Sequence, residues 1–422
     1  MKTLDGKGRV VILGAGPAGL GAAYGLDRAG YSNWAVYERD GVVGGLSKSI
    51  RDEQGFTWDL GGHVTFSHYG LYTRLLDDLL GASGWIERQR ESWIRLLNTW
   101  VPYPLQNNIH RLPDDVRSRC FEGLVRAATA PKDRFDTFEQ FIVGTLGEGI
   151  ADVFMIPYNR KTWACHPAQM SASWVAERVA VPDMERLARN MERNGDDVAW
   201  GPNNVFRFPR HGGTGAIWTA LADRLPQSNI VRRCQAVQLD VADRTVRFSN
   251  GRREHYDRLV STIPITHLAQ LSGRPKWIDA ASQLSYSSTY VIGVGFRGKA
   301  SADLSSKCWM YFPEDNCPFY RVTHFSLYSP YNVDDIRSHW SLMAEVSESA
   351  DKPVNRYTVV RDTVLGMVAT GLIDNADLVS HTWLHRIEHS YPIPTLRRDS
   401  ALADLLPAMG REGIYSRGRF GA

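Results

Sequence analysis

Residues 10–23 read VVILGAGPAGLGAA, an apolar run that breaks at a glycine-punctuated turn and resumes as a small-residue segment opened by Pro17. Arg9–Leu13 reads as a buried parallel strand. Pro17–Ala29 reads as a helix, with Pro17 at its start and Gly30 closing it. Trp34–Glu38 reads as the next strand. Gly14, Gly16 and Gly19 stand in the GxGxxG spacing. The first allows a tight turn, the second lets the backbone approach a pyrophosphate, and the third lets helix and strand pack closely. The helix N-terminus then offers free N–H groups and positive dipole to phosphates. Glu38, ending the second strand, is placed to accept hydrogen bonds from a ribose diol. A lone GxGxxG is weak, but strand, helix and acid here all fall in order.

That motif alone does not separate FAD from NAD. The continuation ERDGVVGGLSKS, residues 38–49, favours FAD. Glycine-rich loops directly after the acidic strand are typical of FAD enzymes similar to amine oxidases, where more backbone must approach a long cofactor. Gly41–Leu46 and Asp59–His63 read as loops that return to that cofactor.

Outward from this unit, Leu71–Asn190 turns mostly helical, with apolar spacing such as Phe138, Phe141, Ile142 and Leu146. Ser92–Tyr103 is the exception and alternates like a hairpin. Asn229–Val260 returns to strands, broken by the Asn250–Gly251 turn. Tyr286–Phe296, Trp309–Phe312, Phe319–Ser326 and Ser341–Val346 read as antiparallel strands, followed by a helix over Asn355–Thr370. The expected fold is α/β: a Rossmann-like FAD-binding domain, a helical insert and an antiparallel sheet domain. The expected division gives 1–90, 205–265 and 400–422 to the FAD-binding domain. Residues 104–204 form the helical substrate domain, and 91–103 with 266–399 the sheet domain.

The 422 residues suffice for two or three domains. A formal net charge of +3 is too small to imply nucleic acid or an anionic membrane. The five cysteines, Cys120, Cys165, Cys234, Cys308 and Cys317, form no CxxC pair, so neither a metal site nor a disulfide framework is expected. A reducing, cytoplasmic compartment fits them. The N-terminus does not read as a signal peptide. No stretch reaches about 18 uninterrupted apolar residues, so no membrane partner is expected.

At DLGGHVTFSHY, residues 59–69, the chain resembles the UDP-galactopyranose mutases of eukaryotic type. The likeness continues through WVPYPLQNNI (100–109), FMIPYNRKTWA (154–164), ERVAVP (177–182), WGPNNVFRFPRHGGTGAIW (200–218) and YSSTYVIGVG (286–295). It also takes in CWMYFPEDNCPFYRVTHFSLYSPYN (308–332), EVSES, KPVN, YPIPTL and SRGRFG. These motifs are long, rich in Trp, Tyr and Pro, and cover nearly the whole chain.

The resemblance implies interconversion of UDP-galactopyranose and UDP-galactofuranose through an adduct between the sugar and N5 of reduced flavin, with no net redox change. It implies FAD as cofactor, NADPH or NADH as reductant, and a UDP-galactose substrate. Cofactor contacts would come from Gly14, Gly16, Ala18, Gly19, Glu38, Gly45, Leu46, Gly61, Gly62, His63, Val64 and Val237. Arg178 and Arg321 would hold the UDP pyrophosphate as catalytic cations, because forked guanidiniums stabilise charge growing on a departing diphosphate. Tyr103, Gln106, Phe154, Tyr158 and Asn159 would hold uridine, rings facing the base and amides reading its edge. Trp163, Asn203, Tyr311, Tyr391 and Arg419 would line the sugar and diphosphate. His63 would act beside N5. Family members continue past the position of Ala422 with a tryptophan-containing segment and a GNQDHS-like motif that closes over the flavin. A flavin site without it is expected to bind more weakly and admit water. Two other functions compete: a net FAD-dependent oxidoreductase of amine-oxidase type, and a shortened non-catalytic homologue.

Overall fold

Alternation along the first strand sets the layers. In the computed structural model, which describes residues 8–131, 134–175, 179–181, 183–197 and 204–421, Val10–Leu13 is a strand buried on both faces. Val11 and Leu13 pack with Tyr37, Phe248 and Leu259 on one side. Val10 and Ile12 pack with Leu20, Ala23 and Trp218 on the other. A strand turns successive side chains to opposite faces, so an unbroken apolar run means two covered faces. Its parallel sheet has the order Ile414–Ser416, Arg258–Ser261, Val10–Leu13, Trp34–Tyr37, Ile230–Val231. The helix Pro17–Arg28 crosses between the first two strands of the chain. A three-stranded antiparallel sheet, Ala236–Asp240, Thr245–Phe248 and Arg253–His255, lies over one face, with Phe248 stacked on Tyr37 at 4.2 Å.

The larger sheet has seven strands in the order Val379–Ile393, Ser285–Arg297, His339–Glu348, Arg321–Thr323, Trp309–Tyr311, Ser92–Leu96, Thr99–Pro102. The last two form a hairpin whose turn residues, Leu97 and Asn98, have φ of 50° and 58°. Two successive positive φ values match the right-handed twist of the paired strands. This hairpin joins the sheet by parallel pairing of Ser92–Ile94 with Trp309–Tyr311. Two elements differ from the sequence expectation. The strand expected over 319–326 ends at Thr323, and Phe325–Tyr328 makes one helical turn. The helix expected from Asn355 begins at Val359, because the Asn355 side chain instead accepts the Tyr357 N–H and holds a turn.

The helical region packs Asp114–Thr129 against Phe138–Ile150. Thr137 starts the second helix with a capping box: its hydroxyl accepts the Gln140 N–H at 3.1 Å, and the Gln140 side chain accepts the Thr137 N–H at 3.1 Å. The helical run Phe138–Trp163 spans 26 residues, long and apolar enough to cross a membrane by length and composition. Its apolar face is nevertheless core, since Phe138, Ile142, Leu146, Ile150 and Phe154 recur every fourth residue and are all buried. It is also broken at Gly147 (φ 75°) and by a π turn over Ala151–Met155. The five cysteines are free and buried.

Candidate active site

The dinucleotide turn is built from backbone. A Cβ on Gly19 would collide with the Gly14 carbonyl. Gly16 and Gly45 approach so closely that a Cβ on Gly45 would lie 3.0 Å from Gly16 Cα. The second glycine loop is held there by the Gly44 N–H, which donates to the Ala15 carbonyl at 2.9 Å. Gly16 caps the helix without a side-chain hydrogen bond, leaving its first N–H groups open. Glu38 is buried, and its carboxylate accepts from the N–H groups of Ala15 (2.7 Å) and Asp40 (2.9 Å). Gly418 returns to this end, where a Cβ on it would lie 3.4 Å from that of Ala18. This cradle fits a dinucleotide. A Gly19→Val chain should lose most of its flavin, because the added side chain must push the Gly14 carbonyl and with it the cofactor turn out of place; overpacking costs about 1–3 kcal/mol, roughly a five- to 150-fold change in an equilibrium constant. The ratio of flavin to protein absorbance after purification reads this; an unchanged ratio would contradict it.

Val237 lies on the three-stranded sheet, with an exposed side chain. The pairing register shifts across it, between Ala236 and Gln238, so its backbone leaves the ladder. Cys234, three residues earlier, donates its N–H to the Glu38 carbonyl at 2.8 Å.

The other end of the cofactor loop is tied to the large sheet. Asp59 is fully buried and accepts from the hydroxyls of Ser49 and Thr214 and from the Thr214 N–H at 3.2 Å. Burial pushes its carboxyl up to about 7 against these hydrogen bonds. Gly61 follows with φ of 125°. The Gly62 N–H donates to Glu345 Oε1 at 3.1 Å. Glu345 also takes a forked pair from Arg321, Nε to Oε1 at 2.8 Å and Nη2 to Oε2 at 2.7 Å. Tyr320 completes the set, its hydroxyl donating to Oε2 at 2.6 Å. Burial would raise the Glu345 carboxyl, but the Arg321 charge and these hydrogen bonds hold it below the ordinary value. Leu46 and Val64 pack against the adjoining cluster around Trp58.

His63 is next in the loop. Its buried Nδ1 has no hydrogen-bond partner among the described residues. Burial and the neighbouring charges of Arg419 and Arg321 pull the imidazole down to about 4, with Glu345 only partly offsetting them. The ring is therefore neutral at neutral pH. With the folded value below the unfolded one, the unfolded chain takes the extra proton first as pH falls from about 6.5 towards 4, so this group removes stability across that window. NMR of the ring should show the neutral form throughout about pH 5.5–8; an inflection near the ordinary histidine value would contradict the placement.

An aromatic wall stands beside Arg321. Tyr311, its register partner, lies 5.2 Å from Tyr103 and 5.3 Å from Tyr158, and Phe154 stacks on Tyr158 at 5.2 Å. Burial raises the Tyr103, Tyr158 and Tyr311 hydroxyls, so all three stay protonated. Gln106 is buried and donates to the Ala180 carbonyl at 2.6 Å, while its Oε1 is an orphan acceptor. Asn159 Nδ2 donates to the Met155 carbonyl at 2.8 Å. Trp163 meets Tyr391 at 5.7 Å, and the Arg419 guanidinium lies 5.1 Å from the Tyr391 ring. Arg178 and Asn203 lie outside the described residues. Sequence reasoning missed Glu345, Tyr320 and Arg90, whose guanidinium lies 5.9 Å from the Tyr103 ring. A lone acid inside the apolar strand MAEV was the available signal for Glu345, since a buried carboxylate needs partners.

Together, fold and site define a flavoprotein of the flavin containing amine oxidoreductases, whose family pattern matches residues 129–385; an NAD(P)-binding Rossmann-like pattern matches residues 12–79. A solved structure of reduced UDP-galactopyranose mutase is 48% identical, with a TM-score of 0.95, over 98% of this chain and 89% of that one. The chain belongs to the UDP-galactopyranose mutase family. More distant structures share the fold alone. A CLA-producing fatty acid isomerase from P. acnes has TM-score 0.67 at 15% identity, over 100% of this chain and 95% of its own. Cyclohexylamine oxidase from Brevibacterium oxydans has TM-score 0.66 at 12% identity, over 94% and 90%. Among curated proteins, 79 residues are 40% identical to protoporphyrinogen oxidase 2 of Arabidopsis thaliana, spanning 19% of this chain and only 15% of that protein.

Proposed function

We propose that this chain interconverts UDP-galactopyranose and UDP-galactofuranose, with FAD in its reduced form and no net redox change. The carrying observation is Glu345, which binds Arg321 and the Gly62 N–H at once. It thereby fixes a guanidinium at the junction of the cofactor loop and the aromatic wall. When bound and reduced, FAD supplies an electron-rich nitrogen nucleophile for the anomeric carbon. The chain's residues do the rest. Arg321 neutralises charge on the departing diphosphate in a desolvated setting, where a fixed donor is worth most. Arg178 is its assigned partner on motif grounds. Tyr103, Phe154 and Tyr158 present rings to uracil, and the free Gln106 Oε1 accepts from its imide N–H. Asn159 reads the same base. Tyr311, Trp163, Tyr391, Asn203 and Arg419 border the diphosphate and sugar. Neutral His63 offers Nδ1 to the cofactor's reacting edge as donor or acceptor without carrying net charge.

In this reading NADPH or NADH serves as the reductant, the compartment is cytoplasmic, and the chain is divided into the three domains given above. The test is anaerobic incubation of dithionite-reduced protein with UDP-galactofuranose, followed by chromatography. UDP-galactopyranose is the expected product. No conversion in that experiment, with an oxidised sugar product and oxygen uptake when oxidised protein meets the same substrate in air, would overturn the proposal in favour of a net oxidoreductase.

A further inference from the structure

Three segments around the cofactor cradle meet on one carboxyl group. Asp59 ends the strand Thr57–Asp59, directly before the loop that carries Gly61, Gly62 and His63. Ser49, its register partner, follows the second glycine loop and its helical turn Gly45–Ser47. Thr214 caps the helix Gly215–Asp223, whose Ile217, Trp218 and Leu221 pack with Leu20 and Ala23 of the dinucleotide helix. The junction is closed. Ser49 Oγ donates to Asp59 and accepts the Gly215 N–H at 2.8 Å. A Cβ on Gly213 would strike both Asp59 Oδ1 and Ser49 Oγ, and one on Gly215 would lie 2.5 Å from the Ser49 nitrogen. That tightness accounts for Gly213 and Gly215 in the HGGTG motif, residues 211–215.

Asp59 has donors but no counter-charge. It is fully buried and pairs with no cation among the described residues. Charged and titratable groups on the surrounding elements are engaged elsewhere. Lys48 pairs with Asp40 at 2.7 Å, Asp52 accepts from Trp58 and meets His381, and Arg321 holds Glu345. Arg210 donates to the Ser83 carbonyl, His211 packs on Tyr331, Arg51 is exposed, and His63 is neutral. The two protonation states of Asp59 therefore compete on simple terms. The ionised form collects three donors, the Ser49 and Thr214 hydroxyls and the Thr214 N–H. The neutral form avoids a buried charge and can pass its own proton to Thr214 Oγ1. Burial outweighs the donors and lifts the carboxyl from 3.8 to about 7. With the folded value above the unfolded one, folding takes up a proton between the two, and that stability is lost as pH rises through about 7.

We propose that Asp59 is a positioning residue for the cofactor and a proton switch on its retention: neutral, it binds the three segments together around FAD; ionised, it draws water into a junction without counter-charge, and the segments part more readily. The proton comes from solvent. The dinucleotide's diphosphate is an anion, so its binding favours the neutral carboxyl, and by reciprocity the neutral carboxyl favours its binding.

The experiment measures FAD loss from the purified flavoprotein across pH, by recovery of flavin fluorescence, beside infrared difference spectra of protein labelled with ¹³C in its aspartate carboxyls. In wild type, FAD loss should quicken about tenfold from about pH 6 to about pH 9, the equivalent of one unit of linkage. The spectra should show a protonated aspartate that disappears across the same range. Asp59→Asn mimics the neutral acid. Its oxygen can accept from Ser49 and Thr214 N–H, which lies 3.2 and 3.3 Å from the two carboxyl oxygens, while its nitrogen donates to Thr214 Oγ1. This variant should retain FAD with little dependence on pH and lack the infrared signal. Ser49→Ala removes a donor that favours the ion, so its inflection should rise by about one pH unit. Equal acceleration of FAD loss in wild type and Asp59→Asn, an aspartate signal absent at every pH, or an inflection unmoved in Ser49→Ala would overturn the switch. The inference rests on FAD as the cofactor and not on the sugar reaction. A flavin-loaded chain that fails to convert UDP-galactofuranose leaves the switch standing, whereas a chain that takes up no flavin overturns both.

Discussion

Arg321→Ala should lower turnover of UDP-galactofuranose by about 10²–10³ and weaken UDP binding greatly, while FAD stays bound. Two effects of this change must be told apart. One is the loss of a fixed cation beside the diphosphate. The other is structural: Glu345 is 2% exposed and would keep its charge without its cation. Breaking a buried pair from one side typically costs about 3–5 kcal/mol of stability. That loss lowers the melting temperature but does not by itself lower UDP affinity in molecules that remain folded. Titration of UDP into the flavin-containing fraction therefore isolates the first effect. Arg321→Lys is the informative companion. It keeps the charge but loses the two-pronged match to Glu345, made at 2.8 and 2.7 Å, so its affinity should fall between wild type and alanine. UDP affinity within about twofold of wild type in Arg321→Ala would remove this residue from the site.

Glu345→Gln should damage the fold and the cofactor site together. The carboxylate receives four donors: Arg321 Nε, Arg321 Nη2, the Tyr320 hydroxyl and the Gly62 N–H. An amide offers one oxygen and adds two donors of its own, so donors would face donors. Arg321, 14% exposed, would be left as a buried cation without its counter-charge. A destabilisation of about 3–5 kcal/mol is expected. Because Glu345 also holds Gly62, the change should reach the cofactor, seen as altered flavin absorbance and faster loss of FAD on warming. A protein with wild-type melting temperature and spectrum would show that Glu345 links nothing.

The dinucleotide end was legible because its constraints are local. Glycine sterics at Gly14, Gly16 and Gly19 act within a few residues, and Val10–Leu13 announces two covered faces by lacking polar alternation. The hairpin Ser92–Leu96 and Thr99–Pro102 was legible for the opposite reason, its strict alternation. The long strand Val379–Ile393 was not read. It is an edge strand, VSHTWLHRIEHSYPI, exposed at every second position over its first half. Three histidines, an arginine and a glutamate hide its period from any count of apolar residues. Its partner Ser285–Arg297, central and apolar, was plain.

Within the site, Arg321 emerged from motif likeness, whereas its partner Glu345 did not. The two strands that bring them together, Arg321–Thr323 and His339–Glu348, pair with Arg321 directly opposite Glu345. That register is a property of the sheet and cannot be read from either segment alone. His63 was expected beside the cofactor on family grounds. Its neutrality follows instead from burial between Arg419 and Arg321, which no local window contains.

The central claim is that reduced cofactor and a guanidinium held by Glu345 act on one nucleotide sugar without net electron transfer. One preparation, cycled anaerobically between oxidised and dithionite-reduced states and assayed with UDP-galactofuranose in each, tests it most directly. The account predicts UDP-galactopyranose formation only in the reduced state, lost on reoxidation and regained on a second reduction, with many turnovers for each reduction. Equal conversion in both states, or one product per reduction, would contradict it.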